Sequence, residues 1–170
     1  DVSDYQHAGA ALAEYLKTEL RASTIAGIGH RIVHGGTRLF DNQRVTPDLI
    51  AELRRSQPLD IAHLPGEISL LEVFGRSFAD VPQVVCFDTA FHRNLPRVAS
   101  MLPIPRRYYD AGVRRLGFHG LSYTYLMQRL GVAAGPDAAR GRVILAHLGA
   151  GASMAAVRDG KPIDTTMAFT

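Results

Sequence analysis

The stretch VILAHLGAGASMAAVRDGKPIDTT, Val143 to Thr166, decides how this chain is read. Two short apolar runs flank a glycine-rich turn. The second run ends on Arg158-Asp159-Gly160-Lys161, and Asp-Gly between apolar segments signals a two-residue hairpin with positive φ at both central residues. The order is therefore strand, glycine turn, strand, hairpin, strand. A P-loop would need G-x-x-x-x-G-K-[ST] opening a helix, and no Lys-Ser or Lys-Thr follows Gly151. A dinucleotide-binding turn also needs a helix after its glycines. A turn between strands still binds phosphate if successive backbone N–H groups form an anion nest. Ser153 is then a candidate hydroxyl donor, and His147 lies at the strand end. The competing reading is a plain tight turn beside a strand of small residues, and spacing alone leaves both open.

Working outward, helical and strand-like segments alternate. Residues 1–22 read as an amphipathic helix on Val2, Tyr5, Leu12, Tyr15, Leu16 and Leu20. TIAGIGHRIVHGG reads as a buried strand closed by Gly35-Gly36. TPDLIAELRRS opens a helix with Thr46 as cap and Pro47 at the first helical position. GEISLLEVFGRSF is a further helix, and PQVVCFDTAFH holds a buried strand over Val84–Phe87. LPIPRRYYDAGVRRLGFHG reads as loop with at most one helical turn, LSYTYLMQRLG as a helix ended by Gly131, and GPDAARG as a loop. Such alternation predicts an α/β fold with a sheet at least partly parallel. The proline-rich loop from Asn94 to Arg107 is the expected domain boundary, giving domains over 1–93 and 94–170.

The 170 residues are 46% hydrophobic and 21% charged, a globular balance. The net charge of +3 is scattered over Arg54-Arg55, Arg106-Arg107 and Arg114-Arg115 rather than gathered in a run. That pattern argues against nucleic acid as a partner. No apolar run reaches the roughly 20 residues that span a bilayer, so no membrane partner is expected. Cys86 is the one cysteine, which excludes a disulfide framework and fits a reducing compartment, expected to be cytoplasmic. The chain opens without methionine on a helix-like stretch and closes on a strand-like one, so both ends read as cuts through a longer protein.

Five positions carry candidate chemistry. Alternation from Ile28 puts Ile28, His30, Ile32 and His34 on one strand face and Gly29, Arg31 and Val33 on the other. An arginine in an apolar strand needs a partner, either a ligand carboxylate or phosphate or an internal Asp or Glu. His30 and His34 have the i, i+4 spacing of a metal pair, but that spacing serves helices, and no metal site is assignable in the chain. Asp88 follows the strand Val84–Phe87 at its carboxyl end, a common active-site placement that a turn residue would also fit. His119 stands in G-F-H-G, where the backbone can approach a ligand, or where the chain merely turns.

Taken together, GHRIVHGG (29–36), VVCFDTAFH (84–92), RRLGFHGLSYTYL (114–126) and AHLGAGASMAAVRDGKPIDTTMAFT (146–170) resemble the acetate and propionate kinase family, in order and spacing, over nearly the whole chain. The resemblance implies ribonuclease-H-like domains of the actin, heat-shock chaperone and sugar kinase superfamily, with a mixed sheet and flanking helices. The first domain would be completed by residues 1–93, and a second, nucleotide-binding one would begin at 94. It implies reversible transfer of the ATP γ-phosphoryl group to acetate or a short-chain acid such as propionate, with Mg²⁺, in a homodimer. By position it implies that Arg31 holds the carboxylate or the transferring phosphoryl group, that Asp88 is the active-site carboxylate, and that His119 stabilises the transition state. His147, Leu148, Gly149, Ala150 and Gly151 would lie on the ATP phosphates. Val33, Ala62, His63 and Phe118 would bind the substrate. A carboxylic acid is already ionised at neutral pH and needs no base, so Asp88 is better read as orienting Arg31, Mg²⁺ or water.

Four positions depart from the family's usual pattern: Ala150 for Asn, Tyr123 for a second His, and Ala62 and Leu64 on either side of His63, where Leu and Asn are usual. Ala62 widens the acyl pocket, and each buried CH₂ is worth about 0.8 kcal/mol, which favours propionate. The family's N-A-G-S-S-S turn would precede residue 1, and its adenosine segment, a second Arg and a Mg²⁺-binding Glu would follow residue 170. Residues 1–170 alone are therefore expected not to turn over. Two alternatives remain: a non-catalytic binding module of the same fold, and a sugar kinase of the superfamily, for which Asp88 would serve as base.

Overall fold

A computed structural model describes residues 4–19 and 25–169. Val2 and Leu20 of the expected first helix lie outside that range. The chain divides into two compact units, Asp1–Gly36 with Asp41–Cys86, and Thr37–Phe40 with Phe87–Thr170.

The first unit holds helix α1 (Tyr5–Glu19), strands β1 (Ile28–Ile32) and β2 (Gln43–Arg44), helices α2 (Pro47–Ser56) and α3 (Leu64–Ser77), and strand β3 (Gln83–Phe87). The strands form a mixed sheet in the order β1-β3-β2, with β2 antiparallel to β3. β2 was not expected, because two polar residues carry no alternation. α2 begins as its sequence dictates: the Thr46 hydroxyl accepts from the Leu49 N–H at 3.1 Å, and Pro47 occupies the first turn, where no N–H is needed. Leu49 and Leu53 of α2 are buried, as are Leu64, Ile68 and Leu71 of α3 and Ile32 and Val85 of the sheet. Each such side chain contributes about 1.5–3 kcal/mol of burial energy.

The second unit holds α4 (Arg97–Ser100), α5 (Arg106–Asp110), α6 (Gly120–Ala134), α7 (Pro136–Arg140), β4 (Arg142–Leu148), β5 (Ala152–Arg158) and β6 (Lys161–Thr165). The last three form an antiparallel meander, with Leu148 opposite Ala152 and Arg158 opposite Lys161. The expected hairpin is present: Asp159 and Gly160 have φ of 53° and 72°. Tyr123 of α6 packs with Leu145, Ala155 and Val157 on one face of this sheet. The other face leaves Ile144, Leu148 and Met154 exposed.

The loop over 102–120 holds one helical turn, α5, as expected; α4 lies before it, and each starts directly after a proline, Pro96 or Pro105. Two local expectations are corrected. α6 does not stop at Gly131. It runs on to Ala134, where Gly135 (φ 90°) followed by Pro136 breaks it more strongly than a lone glycine. GPDAARG is not loop throughout, because Pro136 sits at the first turn of α7.

Candidate active site

In the first unit the candidate residues gather where β1 meets the start of α3. Alternation along β1 is as expected: Ile32 is buried, while Gly29 and Arg31 are exposed. Arg31 therefore avoids the burial cost that its apolar neighbours suggested. Its charge acts on Glu67, an internal carboxylate. The Val33 N–H donates to both carboxylate oxygens of Glu67, at 3.1 and 3.3 Å. Burial drives the Glu67 carboxyl up from 4.5 to about 7. The Val33 N–H bond, His63 and Arg31 pull it down, and Asp60 pushes it up. Ala62 and His63 are exposed at the entry to α3. Asp60 fixes His63, accepting its N–H at 3.1 Å and contacting its ring Nδ1 at 2.9 Å.

Sequence reasoning missed both Glu67 and Asp60. Glu67 in the first turn of α3 looks like an ordinary helix-dipole carboxylate. A signal was nevertheless present, since it stands three residues after Leu64 and four before Leu71, both buried, and so lies along the apolar stripe. His30 and His34 each have a protein partner. His30 Nε2 contacts Gln83 Oε1 at 2.8 Å, and His34 Nδ1 accepts from the Gly36 N–H at 2.8 Å.

In the second unit the structure gathers Asp88, His119, His147 and the glycine turn. Asp88, 1% exposed, directly follows β3, and its carbonyl accepts from the Gly120 N–H at 2.9 Å. That bond ties the Asp88 backbone to the start of α6. Phe118 is buried, and its carbonyl accepts from the Nε2–H of His92 at 3.0 Å. His119 caps α6 in the left-handed region, φ 60°. Its ring stacks on that of His147, with centroids 3.9 Å apart and planes at 18°. Its Nδ1 hydrogen-bonds to Ser153 Oγ at 2.8 Å. Its Nε2 lies 3.2 Å from where a side chain on Gly151 would begin. Gly149–Gly151 form an exposed three-residue turn, closed by Gly149 N–H donating to the Gly151 carbonyl at 3.2 Å.

Ser153 is not the open phosphate donor that its position suggested. It is buried, and its hydroxyl bonds both His119 and the hydroxyl of Tyr123, itself fully buried. Tyr123, where the family usually has histidine, thus supports His119 through one serine. Periodicity could not show this, because the partner stands 30 residues away.

Against known families, the sequence matches the Acetokinase family over residues 1–170. The chain belongs to the acetokinase family. It is 46% identical over 169 residues to an acetate kinase of Rhodopseudomonas palustris, which covers 99% of this chain and 42% of that protein. An acetate kinase of Methylocella silvestris is 47% identical over 146 residues, 86% of this chain and 36% of its own length. Among solved structures, a propionate kinase from Francisella tularensis superposes with a TM-score of 0.88 at 32% identity. Acetate kinase from Entamoeba histolytica gives 0.87 at 30%. Each of these structures matches 98% of this chain and 43% of its own. The chain thus spans about two fifths of the length of the acetokinases it matches. The α/β architecture, with one mixed and one antiparallel sheet, is the actin-like fold of these kinases.

Proposed function

We propose that this chain carries part of the machinery of a carboxylate kinase, which moves the γ-phosphoryl group of ATP to acetate or a short-chain acid such as propionate. The observation that carries the reading is the imidazole of His119, held by Ser153 and stacked on His147 beside the glycine turn. Phosphoryl transfer is mainly positioning and charge stabilisation, and a pre-oriented ring beside a backbone turn supplies both.

In this reading residues 147–151 receive the nucleotide phosphates through the backbone, and His119 meets charge on the transferring group. Arg31 binds the carboxylate or phosphoryl oxygens as a two-pronged donor. Val33, Ala62, His63 and Phe118 bound the acyl group, with Ala62 favouring propionate. The substrate oxygen is already an anion, so it attacks phosphorus while the bridging bond to the β-phosphate breaks, and no proton moves. Asp88 therefore orients water or a cation. Mg²⁺ would be held mainly by the nucleotide phosphates and water, with Asp88 the carboxylate that would orient it. Among the described residues no group of three or more metal-ligating side chains occurs, so the remaining ligands would come from phosphate and water. The domain division at 93/94, a homodimer and a cytoplasmic location belong to the same proposal. Among the described residues no helix is long and apolar enough to cross a membrane.

The test is a chimera: residues 1–170 replace the matching segment of the Rhodopseudomonas palustris relative, and acyl phosphate is trapped as hydroxamate. Expected is activity with acetate and propionate at similar kcat/KM, lost by 100-fold or more on His119→Ala, the scale of one transition-state donor. A folded chimera that binds ATP yet yields no hydroxamate refutes the kinase reading and favours a binding module.

A further inference from the structure

The second unit contains a cavity of about 40 Å³, lined by Thr89, His92, Arg93, Arg114 and Arg115 among others. That volume admits about three water-sized groups. Three residues that line it each carry a buried polar atom with no hydrogen-bond partner among the described residues: Thr89 Oγ1, His92 Nδ1 and Arg115 Nε. Thr89 and His92 are each only 3% exposed. A buried polar atom left unpaired is costly, so their convergence on one space needs an occupant.

The charges select that occupant. Among the described residues three arginines and a histidine line the cavity, and no carboxylate does. Arg115 is anchored, with its Nη1 donating to the Thr165 carbonyl, which leaves Nε–H directed elsewhere. Arg114 lies over the Phe40 ring at 4.6 Å. His92 is fixed by its Nε2–H bond to the Phe118 carbonyl, so its Nδ1 is the atom that can gain or lose a proton. We propose that Thr89, His92 and Arg115 form a binding site for a small oxyanion, a phosphate, sulfate or carboxylate group.

Thr89 O–H and Arg115 Nε–H donate to such an anion directly. His92 donates only when Nδ1 carries a proton. Burial lowers the His92 pKa, His119 lowers it further, and the Phe118 carbonyl and Asp88 raise it. Arg93, Arg114 and Arg115 face the same cavity. Anion binding offsets the burial, so uptake of the anion and of a proton at His92 are linked, and affinity rises as pH falls. The inference does not rest on the kinase reading.

Sulfate is the probe, since its charge is constant between pH 5 and 8. The imidazole C–H signals of the 170-residue chain are followed by NMR, with His92 assigned through His92→Asn. Expected is a saturable sulfate-dependent shift at His92, an upward move of its titration midpoint, and weakening by roughly five-fold in Thr89→Val, the loss of about one hydrogen bond. Because Thr89→Val is nearly isosteric, its far-ultraviolet circular dichroism should match the parent's. A shift confined to His119 and His147 would place the sulfate at the glycine turn and overturn the proposal. So would a His92 signal unmoved by sulfate, which marks a cavity holding only water, or equal affinity in Thr89→Val.

Discussion

Replacing Glu67 by glutamine tests the strongest electrostatic feature of the first unit. The folded Glu67 carboxyl titrates at about 7, against 4.5 for the ordinary side chain. Below 4.5 both folded and unfolded chains hold the proton. Between the two values the unfolded chain releases it first, so stability falls as pH rises, and the loss is complete above about 7. At 1.36 kcal/mol per pH unit the full loss is about 3 kcal/mol, reduced to about 2 kcal/mol because water reaches part of the side chain. The amide oxygen of Glu67→Gln can still accept the Val33 N–H, and it carries no charge to desolvate. The variant should match the parent at pH 4.5 and exceed it by about 2 kcal/mol at pH 8, or about 4–8 °C in Tm. Thermal melts by circular dichroism across pH 4–8 read this directly. Parallel Tm–pH curves for the two proteins would refute a carboxyl held neutral by burial.

Three further substitutions probe the second unit. Gly120→Ala places a methyl group 2.2 Å from the Asp88 carbonyl oxygen and 2.8 Å from Phe91 Cβ, so a loss of about 3 kcal/mol is expected in urea unfolding; a loss under 0.5 kcal/mol would mean the approach is not that close. Ser153→Ala and Tyr123→Phe each remove one end of a buried hydroxyl pair and should cost about 1–2 kcal/mol. The double variant should cost clearly less than their sum, and strict additivity would show that the hydroxyls do not touch.

Local patterns carried much of the fold. Thr46-Pro47 fixed the start of α2, Asp159-Gly160 the last hairpin, and the odd–even alternation of β1 its two faces. What failed locally failed for a nameable reason. Gly131 was read as a stop because a glycine signals one, but the Gly135-Pro136 pair was the stronger signal. At the site, motifs picked out His119, His147 and Asp88, while the groups that hold them stayed hidden. Ser153 and Tyr123 meet across 30 residues, and Val33 and Glu67 across 34. Neither spacing follows a helical or strand period.

The G-F-H-G segment has a consequence for how inactive relatives would look. A Cβ on Gly117 would fall 2.6 Å from the His92 ring, and one on Gly120 would overlap the Asp88 carbonyl. Both glycines are therefore demanded by packing, whatever the chain catalyses. A descendant that had lost its chemistry would keep this segment for as long as it folded. The informative positions are instead those where side chains stay exposed, Arg31 and His63. On the proposed kinase reading, selection for turnover is the stronger constraint there, and drift would register first.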